Sequence, residues 1–210
     1  MVYSIISAFP EIFESFLNSS LIKKAIDKKI ITVNLYNLRD FATDTRRTID
    51  AKPYGGGAGM LYMVEPMFRA VSSIKVNDPN AKVIIFSPKG KTLTQSVVSS
   101  LSPLSHLILI CPRYEGLDQR IVPLANATEM SIGNYITMGG EVPAMALIEA
   151  TARLVPGVVA KEESIINESF SKGGSLEHPQ YTKPQEFMGL TVPNILISGD
   201  HKKIAQWKIS

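Results

Sequence analysis

Three glycine-bearing segments are the parts of this chain whose residue types best fit ligand binding. Two of them, 111–116 (CPRYEG) and 131–141 (SIGNYITMGGE), each follow an apolar run that predicts a buried strand. Loops at the carboxyl ends of parallel strands can present backbone N–H and C=O groups to a ligand. The third segment, 53–60 (PYGGGAGM), has four glycines in five positions, which indicates close backbone packing or a ligand. Any one of these segments could instead be an ordinary turn, but ordinary turns explain the glycines of all three segments less well.

Several common chemistries lack the residues that they need. None of the three segments continues into Gly-Lys-Ser/Thr, which excludes a phosphate-binding P-loop there. The histidines His106, His178 and His201 are scattered without metal-ligand spacing, so surface or capping roles are expected. No Ser/His/Asp or Cys/His constellation supports nucleophilic hydrolysis. Cys111 follows four apolar residues and is expected to be a small core residue.

The composition predicts one large globular domain, or one domain with a small appendage. Of the 210 residues, 45% are hydrophobic and 20% are charged, which is enough apolar material for a core. The net charge of +3 argues only weakly for a polyanionic partner, and the Lys/Arg pairs are expected to be solvated faces. A single cysteine, no secretory signal and no apolar run of ~18 residues predict a soluble, cytoplasmic protein.

Apolar periodicity predicts an α/β fold, with a parallel sheet buried by helices on both faces. Strands are expected at 2–8, 30–38, 81–86, 106–110 and 126–132. Helices are expected from Pro10, at 21–27, 65–76, near 92–100 with Thr94 as a cap, at 141–154 and from His201. The polar, glycine-rich segment 39–63 is predicted to be a functional loop or disordered. A change of composition after residue 160 predicts a domain at 1–160, a linker at 161–175 and a further part at 176–210.

With these segments placed, the chain resembles the bacterial tRNA (guanine-N1)-methyltransferase family of the SPOUT superfamily. Motifs in the same order carry the resemblance along nearly the whole chain: Ser7–Pro10, Asp50 with Pro53–Met60, Ser87–Gly90, Arg113–Arg120, Ser131–Gly133, Tyr135, Gly139–Glu141, Pro143–Met145, Pro156–Val158 and Pro179–Pro184. The resemblance implies methylation of N1 of the guanine immediately 3′ of the tRNA anticodon, with S-adenosylmethionine as methyl donor. It also implies a SPOUT-type fold with a deep trefoil knot, an obligate homodimer with active sites across its interface, and a Mg²⁺ requirement with no metal site assigned.

The resemblance also assigns residues to roles. The cofactor pocket would comprise Phe86, Ser87, Pro88, Pro112, Tyr114, Glu115, Gly116, Ile132, Gly133, Asn134, Tyr135, Ile136, Thr137, Gly139 and Gly140. The family's catalytic arginine matches Arg153, which would stabilise negative charge on guanine O6. Its general-base aspartate matches Glu168 of the sequence Glu-Ser-Phe.

Some positions depart from the family pattern. Glu168 is one methylene longer than aspartate, with Glu115 as an alternative carboxylate, while Pro112 replaces glycine and Asn134 replaces aspartate. Family members usually continue for several tens of residues past 210, so 176–210 is expected to be part of a helical tRNA-binding domain. Two alternatives stay open: a non-catalytic tRNA-binding homodimer, and a SPOUT methyltransferase that acts on another RNA.

Overall fold

A computed structural model of the chain describes residues 1–160, 169–170 and 177–208. The chain divides into two compact units, Met1–Ala160 and Lys161–Ser210. Among the described residues, no helix is both long and apolar enough to cross a membrane.

The first unit is an α/β structure whose described elements alternate along the chain. Its strands are β1 (Val2–Ser7), β2 (Thr32–Asn37), β3 (Asp50–Ala51), β4 (Leu61–Tyr62), β5 (Lys82–Thr92), β6 (His106–Ile110) and β7 (Thr128–Ser131). Its α-helices are α1 (Glu14–Leu17), α2 (Ser20–Asp27), α3 (Val64–Lys75), α4 (Gln95–Leu101), α5 (Ile121–Ala125) and α6 (Glu141–Ala152), with 3-10 turns at Pro10–Phe13 and Leu38–Phe41. The Thr94 side chain accepts a hydrogen bond from the backbone N–H of Val97, which confirms Thr94 as the cap of α4.

Five strands form one parallel sheet in the order β2-β1-β6-β5-β7. Side chains on alternate positions of β1 pack in two different hydrophobic cores. Tyr3 and Ile5 lie in the first core, and Ile6 lies in the second. The first core is closed mainly by α2, α4 and α6, and the second by α3 and α5. The predicted α/β class, with a parallel sheet between helices, is confirmed.

The strand order requires the connection between β6 and β7 to cross the strand that lies between them. β5 lies between β6 and β7, so the segment 111–127, which runs from the carboxyl end of β6 to the amino end of β7, must cross β5. Its first residues lie at the carboxyl edge of the sheet. The short antiparallel pair β3 and β4 lies within the segment 39–63, which the sequence predicted to be a long loop. Ligands of open α/β sheets bind outside the carboxyl ends of strands, so the crossing marks the region to search.

β5 continues beyond the end that the sequence predicted at Phe86. Phe86 and Lys91 both pair with Met130 of β7, so the four residues between them leave the ladder and return to it. The return is possible because Gly90 has no side chain: a Cβ there would lie 2.2 Å from the backbone nitrogen of Met130. The predicted strand 81–86 was therefore too short, because apolar periodicity does not detect a strand that resumes after an excursion.

The described part of the second unit is small. It contains an antiparallel pair, β8 (Glu186–Phe187) with β9 (Leu190–Thr191), followed by α7 (Asn194–Ile197) and α8 (His201–Trp207). The helix predicted from His201 is confirmed, and the Asp200 side chain caps it by accepting a hydrogen bond from the N–H of Lys203. The Trp207 ring lies 5.4 Å from the His178 ring and 6.4 Å from the Tyr181 ring, measured between centroids.

Gly90→Ala is expected to destabilise the first unit. The added methyl group would press on the backbone of β7, which cannot rotate away as a side chain can, and overpacking of this kind lowers the free energy of unfolding by about 1–3 kcal/mol. Urea unfolding measures the change. Ser99→Ala, at an exposed position of α4, is the control and should leave the midpoint nearly unchanged. Equal midpoints for the two variants would contradict the close approach of Gly90 to β7.

Candidate active site

A pocket lies at the carboxyl edge of the sheet, where β5 leaves the ladder after Phe86, β6 and β7 end, and α6 begins. Its cavity of about 240 Å³ is much larger than the ~30 Å³ that one water occupies, so it has room for a small organic molecule. All the predicted cofactor residues except Gly133 and Asn134 line it. Five further residues line it: Arg113, Met130, Ser131, Met138 and Pro143.

The floor of the pocket is a contact between two glycine-bearing segments. The Gly140 N–H donates to the Pro112 carbonyl at 2.8 Å, and Arg113 pairs with Gly139 in an antiparallel bridge. A Cβ on Gly140 would lie 2.6 Å from Cα of Cys111, so no other residue fits there. Pro112 takes part through its carbonyl, and its missing N–H is not needed in this pairing.

A buried carboxylate joins the floor to the end of β1. Glu141, the first residue of α6, is 2% exposed. Its carboxylate accepts a hydrogen bond from Ser7 Oγ at 2.8 Å and from Arg113 Nε at 3.2 Å to each oxygen. The Arg113 guanidinium also lies 4.7 Å from the centroid of the Phe9 ring. A buried charge is tolerated when it is paired, and a helix N-terminus favours a negative one.

The segment 114–116 forms one wall of the pocket and holds the glycine-rich segment 53–60 against it. The Glu115 N–H donates to the Met60 carbonyl at 3.1 Å, and the Tyr62 N–H donates to the Gly116 carbonyl at 3.0 Å. A Cβ on Gly59 would lie 2.5 Å from Cγ of Glu115, so Gly59 makes room for that side chain. The three segments that the sequence singled out therefore meet at one place.

Beneath this wall lies a buried hydroxyl without a partner. Tyr62 is fully buried, and its ring meets the half-exposed Tyr114 ring edge-on, with centroids 5.7 Å apart. The Tyr62 hydroxyl has no hydrogen-bond partner among the described residues. Burial, and secondarily the negative charge of Glu141, raise the pKa of Tyr62, so the phenol stays neutral. Nothing in the sequence indicated this role, because Tyr62 lies in the segment 39–63, which was predicted to be a functional loop or disordered.

The opposite wall, 131–138, presents apolar side chains at the pocket mouth. Ile136 is 78% exposed and Met138 is 91% exposed, although both line the pocket. The Thr137 hydroxyl donates to the Gly139 carbonyl at 2.8 Å and so fixes the turn that leads to the floor. Exposed apolar groups beside a cavity are typical of a surface that receives a ligand or a partner.

All of the chain, residues 1–210, matches the family described as tRNA (Guanine-1)-methyltransferase TrmD. The chain belongs to this family.

Individual relatives are similar along most of their own length. The chain is 48% identical over 204 residues to a tRNA (guanine-N(1)-)-methyltransferase of Dictyoglomus turgidum, which covers 97% of this chain and 82% of that protein. It is 49% identical over 209 residues to the protein of the same name from Nostoc punctiforme, and the alignment covers 99% of this chain and 87% of that protein. It is 50% identical over 208 residues to that of Carboxydothermus hydrogenoformans, and the alignment covers 99% of this chain and 81% of that protein. The resemblance drawn from the motifs is confirmed.

The two residues that the methyltransferase resemblance assigns to catalysis do not line this pocket. Arg153 is exposed and follows the last residue of α6, whose first residue adjoins the floor. A helix of 12 residues is about 18 Å long, so Arg153 lies at the far end of α6 from the pocket of its own chain. Glu168 lies outside the described residues.

The remaining candidate groups have structural roles. Cys111 is fully buried, as predicted, and burial raises the pKa of its thiol. His106 was expected at the surface or in a cap, but it begins β6 and is largely buried: Nε2 is 2.9 Å from Ser4 Oγ of β1 and Nδ1 is 3.1 Å from an oxygen of Asp78 in the loop before β5. Over 1–160, 169–170 and 177–208, no group of three His, Cys, Asp or Glu side chains can hold a metal ion, so we place no Mg²⁺ site.

Tyr62→Phe is expected to leave stability unchanged or to raise it by up to about 1–3 kcal/mol, because it removes a buried hydroxyl that no described residue satisfies. Thermal and urea unfolding measure the change. The matched control is Tyr3→Phe, because Tyr3 is equally buried but its hydroxyl lies 2.8 Å from Thr151 Oγ1. Loss of that hydrogen bond should destabilise the protein. Equal destabilisation by both variants would show that the Tyr62 hydroxyl has a partner after all.

Proposed function

We propose that this protein transfers the methyl group of S-adenosylmethionine to N1 of the guanine immediately 3′ of the anticodon in tRNA. The observation that carries the proposal is the match of the whole chain to the methyltransferase family. Relatives of 48–50% identity that bear the methyltransferase name support it. The pocket supports it as well, because residues chosen from separate motifs meet there.

The residues of the pocket fit the methyl donor. Ile132, Tyr135 and Ile136 offer apolar surface for an adenine ring, and the backbone around Gly116 and Gly139 offers polar groups within the same lining. When bound, S-adenosylmethionine would supply a methyl group already activated by its sulfonium centre. The task of the chain is then to place the guanine in line with that group, and positioning alone can supply several orders of magnitude in rate.

Two charged side chains would complete the chemistry on the guanine. N1 carries a proton, which Glu168 would accept as general base. As the proton leaves, negative charge develops on O6, and the Arg153 guanidinium would stabilise it. The resemblance supports both roles, and the retained carboxylate of Glu168 keeps the proton transfer possible despite its longer stem.

We further propose that two copies of the chain assemble each active site. The position of Arg153, a helix length away from the pocket of its own chain, supports this assembly. The exposed Ile136 and Met138 at the pocket mouth support it too, because apolar groups of this kind are commonly covered by a partner. In a symmetric dimer, each protomer would offer its pocket to one site and its Arg153 to the other.

The knot, the domain roles and the location belong to the same proposal. The crossing of β5 by segment 111–127, together with the return of 139–140 to Cys111, supports a trefoil knot around the pocket. We assign 1–160 to catalysis, 161–175 to a linker and 176–210 to tRNA binding, to which exposed Lys202 and Lys203 would contribute. The single, buried cysteine supports a reducing cytoplasmic location.

The deciding experiment is transfer of labelled methyl from S-adenosylmethionine to an unmodified tRNA transcript. One transcript carries guanine 3′ of its anticodon, and a matched transcript carries adenine there. Guanine-dependent incorporation is expected. No incorporation, with donor binding confirmed by calorimetry, would instead favour a non-catalytic tRNA-binding homodimer. Equal methyl incorporation into the guanine and adenine transcripts would favour action on another RNA or on another position.

Arg153→Ala should lower turnover by about 100- to 1,000-fold, the usual effect of losing one oxyanion stabiliser, while donor affinity stays unchanged. Single-turnover methylation and calorimetry measure the two quantities. Arg69→Ala, an exposed arginine on α3, is the matched control. A large loss of donor affinity would mean that Arg153 is a structural or cofactor residue.

Mixed dimers extend this test to the proposed assembly. Arg153→Ala protomers are combined with Ile132→Trp protomers, in which the indole fills the pocket. About half of the wild-type rate is expected, because one of the two sites of a symmetric dimer is then complete. If both pocket and arginine came from one protomer, the mixed dimer would be inactive.

Glu168→Gln should depress single-turnover methylation and leave tRNA binding intact, because glutamine keeps the shape of the side chain but cannot accept a proton. The rate is measured with the guanine transcript, and binding is measured by filter retention. Glu163→Gln, five positions earlier in the chain, is the matched control. Wild-type rates for Glu168→Gln would remove it as the base and direct attention to Glu115.

A further inference from the structure

The connection between β3 and β4 carries a fully exposed aromatic side chain. Tyr54 is 100% exposed, at a turn in which the Gly56 N–H donates to the Pro53 carbonyl at 3.3 Å. The next two glycines, Gly55 and Gly56, have φ values of +84° and +81°, and a Cβ on either would meet nothing within 4 Å. These glycines serve the backbone conformation of the turn and do not relieve crowding within this chain. The turn therefore presents Tyr54 to solvent, and no packing contact with the described residues explains this placement.

This turn lies beside the pocket. β4, which ends the connection, is joined to the pocket wall by the Tyr62 N–H to Gly116 carbonyl bond of 3.0 Å and by the Asp118 N–H to Tyr62 carbonyl bond of 2.9 Å. Glu115, a lining residue, packs against Gly59 of the same connection. The connection that carries Tyr54 thus adjoins the pocket, at the side formed by 114–118.

Positive charge accompanies Tyr54 on this rim. The Arg120 guanidinium donates to both carboxylate oxygens of Asp118, at 2.9 and 2.6 Å, and its side chain is still 66% exposed. Hydrogen bonds to Asp118, and to a smaller extent the nearby Tyr54 hydroxyl, raise the pKa of Arg120. Lys52, two positions before Tyr54, is exposed and forms no ion pair with any described residue. An exposed aromatic ring together with exposed Arg and Lys side chains is typical of surfaces that bind single-stranded nucleic acid.

We propose that Tyr54 is a stacking platform for a nucleotide adjoining the target guanine, with Arg120 and Lys52 facing the RNA backbone. A guanine that reaches the methyl donor must leave its stack, and its neighbours then lack a stacking partner. The exposed Tyr54 ring could replace that partner, because it lies on a connection that adjoins the pocket wall. The assignment rests on the proposed function, since it names a second subsite for the same RNA. It concerns a neighbouring base and not the reacting atoms.

The test compares wild type, Tyr54→Ala and Tyr54→Phe, with Phe68→Ala as a control for loss of an exposed ring elsewhere in the first unit. The RNA is the guanine transcript with 2-aminopurine at the position on either side of the target in turn. Loss of base stacking on an aromatic side chain should weaken tRNA binding roughly 5- to 150-fold in Tyr54→Ala. Donor affinity and dimer mass should be unchanged, and Tyr54→Phe and Phe68→Ala should resemble wild type. Quenching of one of the two 2-aminopurines should depend on Tyr54.

Several results would overturn the inference. Wild-type tRNA affinity in Tyr54→Ala would remove the platform, and equal losses in Tyr54→Phe and Tyr54→Ala would assign the effect to the hydroxyl and not to stacking. Dissociation of Tyr54→Ala into monomers, seen by light scattering, would assign Tyr54 to the protein interface. Failure of the proposed function is separate, because wild type itself would then bind this RNA without guanine-dependent methylation.

Discussion

The constraint on which the pocket depends is the approach of residues 139–140 to residues 111–113. The Gly140 N–H to Pro112 carbonyl bond, and the 2.6 Å that would separate a Cβ from Cys111, require glycine at this point. The contact brings the start of α6 to the end of β6, although β5 separates β6 from β7 in the sheet. Without it, the two walls of the pocket would belong to independent loops. With it, segments 114–116 and 131–138 face each other across one cavity.

A buried carboxylate, that of Glu141, further stabilises the contact between residues 111–113 and 139–140. Glu141 follows the glycines directly, and its buried carboxylate is satisfied by Ser7 from β1 and Arg113 from the opposite segment. A carboxylate at the first residue of a helix is stabilised by the helix dipole, so the same residue starts α6 and fastens the pocket. Because breaking a buried pair leaves a charge without a partner, the three elements are constrained to move together.

The sequence predicted the class of fold and most of the pocket lining. It could do so because β1, β6 and the first half of β5 are continuous apolar runs, and because long motifs occur in the order of the family. It did not predict the return of β5 through Gly90, the helix α5, or the partners of Glu141. Those features depend on contacts between residues far apart in the chain: Ser7 and Glu141 are separated by 134 positions. Tyr62 shows the same limit, because only the packed structure reveals that its hydroxyl has no partner in the part of the chain that is described.

The position of β5 between β6 and β7 also has a consequence for the order of events during synthesis. Strand β5 leaves the ribosome before either neighbour, yet its second half can be completed only when β7 has been made. The floor at 139–140 arrives later still, so the cavity is among the last features of the first unit to form. Pairing of this non-local kind slows folding. A ligand that needs both walls binds only the finished unit, and it therefore acts on the yield of folded protein by mass action after the slow steps are over.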